Sequence, residues 1–162
     1  MNMISSHYFE YHKQKTIQAL RYHFIGRTEI KIMMILVNVF AVLSAGLFYW
    51  KKIAPSAFLL SSMLWFLMML LFWFFLPRMI YKKSASFKDS FKVTMNEYQF
   101  ILQHTKAEKS WDWSSFSSWM ESPYFFHLYF SSTSFFLIPK DGFEEDDIVK
   151  ARNYFRSHIQ KK

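Results

Sequence analysis

The chain has 162 residues, of which 22% are aromatic, with no cysteine, a mean hydropathy of zero and a formal net charge of +8. The missing cysteine excludes a disulfide framework, a thiolate metal site and a cysteine nucleophile. The charge does not mark a nucleic-acid binder. Residues 1–83 hold ten Lys or Arg against two acids, whereas residues 84–162 hold ten of each, so the excess lies outside the C-terminal part and no basic groove is expected there.

Residues 1–31 are mixed in character. Ile17, Leu20 and Phe24 recur at helical spacing between Lys13, Lys15 and Arg21, which predicts a short amphipathic helix lying at a bilayer surface or against the C-terminal domain. Two apolar segments follow, Ile32–Trp50 and Ala57–Leu76, neither with a charged side chain. At roughly 1.5 Å per residue each is long enough for the roughly 30 Å hydrocarbon layer. Only Lys51-Lys52-Ile53-Ala54-Pro55-Ser56 separates them, too little for a folded domain, so residues 32–83 are expected to form a transmembrane hairpin with both chain ends on one side. A cleaved signal peptide is disfavoured, because 31 residues precede the first segment and a second segment follows it.

The side follows from charge. Lys13, Lys15, Arg21, Arg27 and Lys31 precede the first segment, and Arg78, Lys82, Lys83, Lys88 and Lys92 follow the second, against Lys51 and Lys52 at the tip. Positive flanks stay in the cytoplasm, which puts both termini there. Tyr49 and Trp50 would then mark the outer interface, and Phe72, Trp73, Phe74, Phe75 and Tyr81 the inner one. Within the hairpin, Ala41, Ser44 and Ala45 form a small-residue stripe, with Ser61 and Ser62 at similar depth on the return helix. Asn38, the one strongly polar side chain in either segment, is expected to make an interhelical hydrogen bond rather than line an ion path.

Residues 84–162 contain eighteen aromatic rings in 79 positions, enough to close a small core without a metal or disulfide and to leave some rings for a contact. After Pro77 the pattern turns to short strands: Phe87–Thr94, a turn at Met95-Asn96-Glu97, then Tyr98–His104 with Tyr98, Phe100 and Leu102 on one face. A polar turn is expected at Thr105–Lys109. Ser110–Met120 follows, bent where Phe116 and Trp119 leave the alternation of Trp111 and Trp113. Ser122-Pro123 breaks the chain before Tyr124–Phe130, and Phe135–Ile138 closes an antiparallel meander of five or six strands. A C-terminal helix is expected with Asp141 or Gly142 as cap, Glu144–Asp147 in its first turn and Ile148, Ala151, Phe155 and Ile159 on its apolar face. Trp113 and Phe136 are expected in the core. The fold class is thus an α+β membrane protein, a two-helix hairpin followed by a small antiparallel sheet domain with a C-terminal helix, the layout of a pleckstrin-homology-like barrel.

Tyr8-Phe9-Glu10-Tyr11, the two spans, Trp113 followed by Phe116, Glu121, Ile138-Pro139-Lys140 and Phe143 together resemble the YcxB-like family of small bacterial membrane proteins. The resemblance implies a multi-pass protein of the bacterial inner membrane with a cytosolic pleckstrin-homology-like domain over residues 84–162. It implies no catalytic residue.

The residues agree with a non-enzyme. His7, His12, His23, His104, His127 and His158 show no ligand spacing, the serines at 114, 115, 117 and 118 lack a glycine elbow, and the three glycines form no phosphate loop. Glu144–Asp147 is expected to serve the helix dipole rather than hold a cation. No metal, cofactor or small-molecule substrate is expected, and the partners are the bilayer and a protein or a second copy of the chain. The expected function is a membrane-anchored binding or regulatory module, with an immunity protein that neutralises a toxin and a lipid-binding module as alternatives. The contact is expected among Trp111, Trp119, Tyr124 and Phe125, with Trp119 first because it lies outside the strict alternation.

Overall fold

The computed structural model describes residues 3–104 and 107–162. They divide into two compact units, Met1–Ala19 with Ser84–Lys162, and Leu20–Lys83. The first unit opens with a short strand, β1 (Ile4–Ser5), and the chain passes into the second within helix α1 (Lys13–Gly26).

In the second unit α2 (Thr28–Tyr49) and α3 (Pro55–Leu70) form an antiparallel helical hairpin. Lys51, in the left-handed region at φ 54°, ends α2. The N–H of Lys52 reaches the carbonyl of Leu47 at 2.8 Å and that of Lys51 reaches Phe48 at 2.9 Å, a Schellman turn. Pro55 then opens α3 at a position where its missing N–H costs nothing. The small-residue stripe brings the two backbones close, and Ser44 Oγ meets Ser61 Oγ at 2.6 Å. Asn38 donates to the Met34 carbonyl at 2.7 Å and accepts from Trp65 Nε1 at 3.3 Å, the interhelical hydrogen bond expected of it.

The helix does not stop at Pro77. A π-helical turn, Leu71–Phe75, leads into α4 (Leu76–Lys83), and the apolar helix as a whole covers Pro55–Lys83. Proline has no N–H for the carbonyl four residues back, which is that of Trp73, and its ring crowds that carbonyl. The wider turn makes room, and Arg21 Nε donates to the Trp73 oxygen at 3.1 Å.

In the first unit β1, β2 (Phe91–Met95), β3 (Gln99–His104) and β4 (Ala107–Asp112) make one antiparallel sheet in that order. A second holds β5 (Ser118–Glu121), β6 (Phe125–Tyr129) and β7 (Phe135–Pro139), and α5 (Glu145–His158) closes the unit. The antiparallel meander is as expected, with corrections in detail. The expected strand start at Phe87 is a 3₁₀ turn, Ala85–Lys88. Of the expected turn at 105–109, Thr105 and Lys106 lie outside the described residues, while Ala107, Glu108 and Lys109 pair with His104, Gln103 and Leu102. Tyr98 does not join the face of Phe100; it sits in the turn, where Asn96 Oδ1 accepts from the N–H groups of Tyr98 and Gln99 at 2.8 and 2.9 Å.

The expected bend is a 3₁₀ turn, Trp113–Ser115, that separates β4 from β5 and so carries the chain from one sheet to the other. Neither Asp141 nor Gly142 caps α5. They lie in a further 3₁₀ turn, Lys140–Gly142, and the extended residue before the helix is Glu144. Gly142 is used for close approach instead: a Cβ there would stand 3.0 Å from Phe9 Cδ1.

One core joins the two sheets and α5. It contains Val93, Met95 and Phe100 from the first sheet, Trp119, Phe126, Leu128 and Ile138 from the second, Ala151 and Phe155 from the helix, and Trp113 and Phe116 from the bend. The N-terminal segment belongs to it as well. Ile4 and Ser5 pair with Met95 and Thr94, Phe9 bridges to Phe91, and both Ile4 and Phe9 are buried in the core.

Candidate interaction surface

The four residues expected to make a contact fall into different environments. Trp119 is completely buried. It pairs across the second sheet with Leu128, its ring lies 5.6 Å from that of Phe155, and its backbone bonds Gln160 and Lys162 at 2.9 Å each. Its departure from the alternation of Trp111 and Trp113 marks the start of a new strand, whose phase is reset by the 3₁₀ turn, and the new phase points the ring inward. Phe125 is also buried, because β6 is covered on both faces. Tyr11 stacks on it at 6.4 Å, and the Tyr11 hydroxyl donates to the Leu137 carbonyl at 2.7 Å. Neither Trp119 nor Phe125 is available as a surface anchor.

Tyr124 is exposed, with the Lys15 ammonium 5.3 Å from its ring. Trp111 is half-buried, edge-on to Phe136 at 5.2 Å with the Lys109 ammonium 5.1 Å from its indole. Trp111 lies on β4 of the first sheet and Tyr124 in the turn that leads into β6, and with Trp119 and Phe125 buried the four residues do not form the expected surface cluster. Trp113 is in the core as expected. Phe136 is only partly buried, where it packs against that core.

The surface of this unit carries a groove of about 420 Å³ lined by Glu97, Lys150, Asn153, Tyr154, Ser157 and His158. The turn before β3 supplies the acid and the outward face of α5 supplies the rest. Trp113 underlies it: the Tyr154 ring stacks on the indole at 6.2 Å and the His158 ring at 5.2 Å. The indole is held in turn by its Nε1, which donates to the Asn96 carbonyl at 3.0 Å. Burial, followed by the charge of Glu97, raises the pKa of the Tyr154 phenol. The Lys150 ammonium is held by Asp147 at 2.7 Å. The groove therefore offers an aromatic floor and charges of both signs.

His158 Nδ1 lies 2.9 Å from the Tyr154 carbonyl, which can only accept, and 2.8 Å from Ser157 Oγ; in the tautomer that satisfies the carbonyl, Nδ1 carries the proton and has no lone pair for the Ser157 hydroxyl. Among the described residues no group of three or more His, Asp or Glu is placed to hold a metal ion.

Beside the groove, an ion triad locks α5 to the second sheet. Glu121 on β5 accepts a bidentate pair from Arg152, Nε at 2.9 Å and Nη2 at 2.8 Å, and Lys140 Nζ reaches the same carboxylate at 2.7 Å. The Arg152 hydrogen bonds, with Lys140, hold the Glu121 pKa down at about 2 against the opposing effect of its burial. Residues 96–155 match the YcxB-like protein family. No curated protein and no solved structure matches the chain. The YcxB-like region runs from the turn before β3 into α5, and so takes in the triad, Trp113 and most of the groove, while β1 and the hairpin lie outside it. The residues behind the resemblance are accounted for by folding: Trp113, Phe116, Ile138 and Phe143 are core, and Glu121 and Lys140 belong to the triad.

Sequence reasoning missed the groove. Its residues are spread over two elements and carry no shared pattern. The available signal was the spacing of Lys150, Asn153, Tyr154, Ser157 and His158 along one helix face opposite Ile148, Ala151 and Phe155.

Proposed function

We propose that this chain is a non-enzymatic module anchored in a bacterial inner membrane, with both termini cytoplasmic, which presents its YcxB-like unit to a protein partner. The observation that carries the membrane half is the exposure of the hairpin. Two helices are long and apolar enough to cross a bilayer, and in Pro55–Lys83 no residue of the apolar window is buried by the protein itself. A core helix of a water-soluble fold would be covered by its own chain. Here Leu36, Val42, Leu43, Leu59, Leu60 and Met63 are all more than half exposed, an apolar area that lipid would cover. Four strands, then three, then a closing helix accord with a pleckstrin-homology-like layout for the sheet unit.

The binding half rests on the groove of Glu97 and α5. Its mixed charge favours a protein over an anionic lipid, and the contact of His158 Nδ1 with the Tyr154 carbonyl speaks against a general base for Ser157. The test has two arms. A reporter fused after Lys162 should behave as cytoplasmic and a tag within Lys51–Ser56 should be reachable from outside; a periplasmic C-terminus would sink the topology. A photo-crosslinking side chain at Asn153 should capture a defined protein in intact cells, and the same probe at Glu108, on the edge strand β4, should not. Equal capture at both sites would remove the groove from the account.

A further inference from the structure

The end of the hairpin carries cations that no acid neutralises. Between Leu20 and Lys83 the basic residues outside the tip are Arg21, Arg27, Lys31, Arg78, Lys82 and Lys83, and the only acid is Glu29, which lies 3.6 Å from Arg27. Among the described residues Arg21, Arg78 and Lys82 pair with no carboxylate. Aromatic rings hold the two arginines instead. The Arg21 guanidinium lies 5.0 Å from the centroid of Trp73 and 5.8 Å from that of Phe74, and the Arg78 guanidinium lies 5.2 Å from Phe74. A guanidinium set against a ring face keeps in-plane N–H donors for another acceptor.

The placement has a backbone cause. Pro77 frees the Trp73 carbonyl, Arg21 Nε takes it, and the π-helical turn that accommodates the proline also sets Trp73 and Phe74 on the course they follow. Beyond that turn Phe74, Phe75, Arg78, Met79 and Lys82 line a groove of about 300 Å³. Its upper lining is apolar and its far end cationic.

We infer that this groove binds the phosphate of an anionic phospholipid, with Arg78 and Lys82 on the headgroup and Phe74, Phe75 and Met79 along the first part of an acyl chain. The inference rests on the membrane placement proposed above. The helix Pro55–Lys83 has 29 residues, roughly 43 Å at 1.5 Å per residue, against a hydrocarbon layer of roughly 30 Å. With Pro55 at one interface, Arg78 and Lys82 therefore emerge at headgroup level of the other while Phe74 and Phe75 lie just inside. The order along the helix, apolar and then cationic, is the order of chain and headgroup in a lipid, which favours that source over free phosphate.

Native mass spectrometry of the full chain, released from micelles with equal phosphatidylglycerol and phosphatidylcholine, tests it. Phosphatidylglycerol adducts should dominate, and R78Q/K82Q should lower them by about tenfold or more. K51Q/K52Q, which removes the same charge at the tip, should leave them unchanged. Arg78 and Lys82 are exposed, so the double variant should keep wild-type helix content; the single variants R78Q and K82Q serve if it does not. Equal retention of both lipids, equal loss in K51Q/K52Q, or displacement of the lipid by inorganic phosphate would each overturn the inference. Carbonate extraction separates this from failure of the underlying reading: a chain that leaves the membrane refutes the anchor, whereas a chain that stays without lipid preference refutes the site alone.

Discussion

At the scale of single residues, Glu121 is a charged group on which three parts of the sheet unit meet. Its carboxylate ties β5 to α5 and to the residue after β7, and Arg152 and Lys140 keep its pKa at about 2 against an ordinary value of 4.5. A carboxyl group with a depressed folded-state pKa stabilises the fold fully above its ordinary value, and that contribution is lost as the pH falls through the folded one. Stability should therefore decline between pH 4.5 and about 2 in part through this group. Glu121→Gln should flatten that part of the profile and, by leaving two partly buried cations without their acceptor, should cost about 1–3 kcal/mol at neutral pH. Denaturation followed by circular dichroism across that pH range checks both. Trp119→Ala should cost about 3–5 kcal/mol and unfold the unit, as expected of a large ring deleted from a filled core. Near-wild-type stability would show that the indole is not enclosed. Phe136→Ala should cost less, since that ring is only partly buried.

At the scale of elements, the hairpin is held by short polar contacts between small residues. Ser44 and Ser61 face each other with 2.6 Å between their oxygens, and the chain has no cysteine, so S44C/S61C should form an intramolecular disulfide cleanly on oxidation. A gel shift reversed by reductant reads it out; no bond, or only dimers, would mean that the helices do not meet there. At the tip, Lys51 adopts a left-handed conformation that glycine takes without steric cost. Lys51→Gly should accordingly leave the hairpin at least as stable, whereas a β-branched residue there should weaken it. The two apolar helices were legible because uninterrupted runs without charge have few other solutions. The end of the second was not. Proline normally stops a helix, and its tolerance at position 77 depends on a π-helical turn and on Arg21, more than fifty residues earlier in the chain.

For the whole molecule, the decisive feature is that residues before the hairpin complete the unit that follows it. β1 covers the outer edge of β2, Phe9 fills the core beside Gly142, and Tyr11 closes over Phe125. A fragment beginning at Ser84 would lose all three and expose an apolar strand edge, an invitation to aggregation. The isolated 84–162 fragment should therefore be aggregated or loosely packed, and a synthetic peptide of residues 3–12 should restore dispersion of its aromatic NMR signals. A well-folded fragment without the peptide would show that the N-terminal segment is dispensable. The same arrangement makes the hairpin an insertion within the folding unit, since the chain leaves that unit in α1 and returns after Lys83.

Local chemistry determined much by itself. The apolar hairpin, the turns at Asn96 and Ser122-Pro123, the alternation of the strands and the acidic start of α5 are all properties of contiguous residues, whose energetics scarcely depend on what lies elsewhere. Tertiary structure decided which rings are inside. Trp119 and Phe125 look like surplus aromatics along the chain, but the 3₁₀ turn after β4 resets the strand phase and Tyr11 covers the second face of β6, so both rings are enclosed. It also decided the use of Gly142, the pairing of Glu121 with Arg152 and the groove above Trp113, because each depends on a neighbour brought in from a distant part of the chain. Burial is a property of the assembled packing, and a sequence window contains only one side of each such contact.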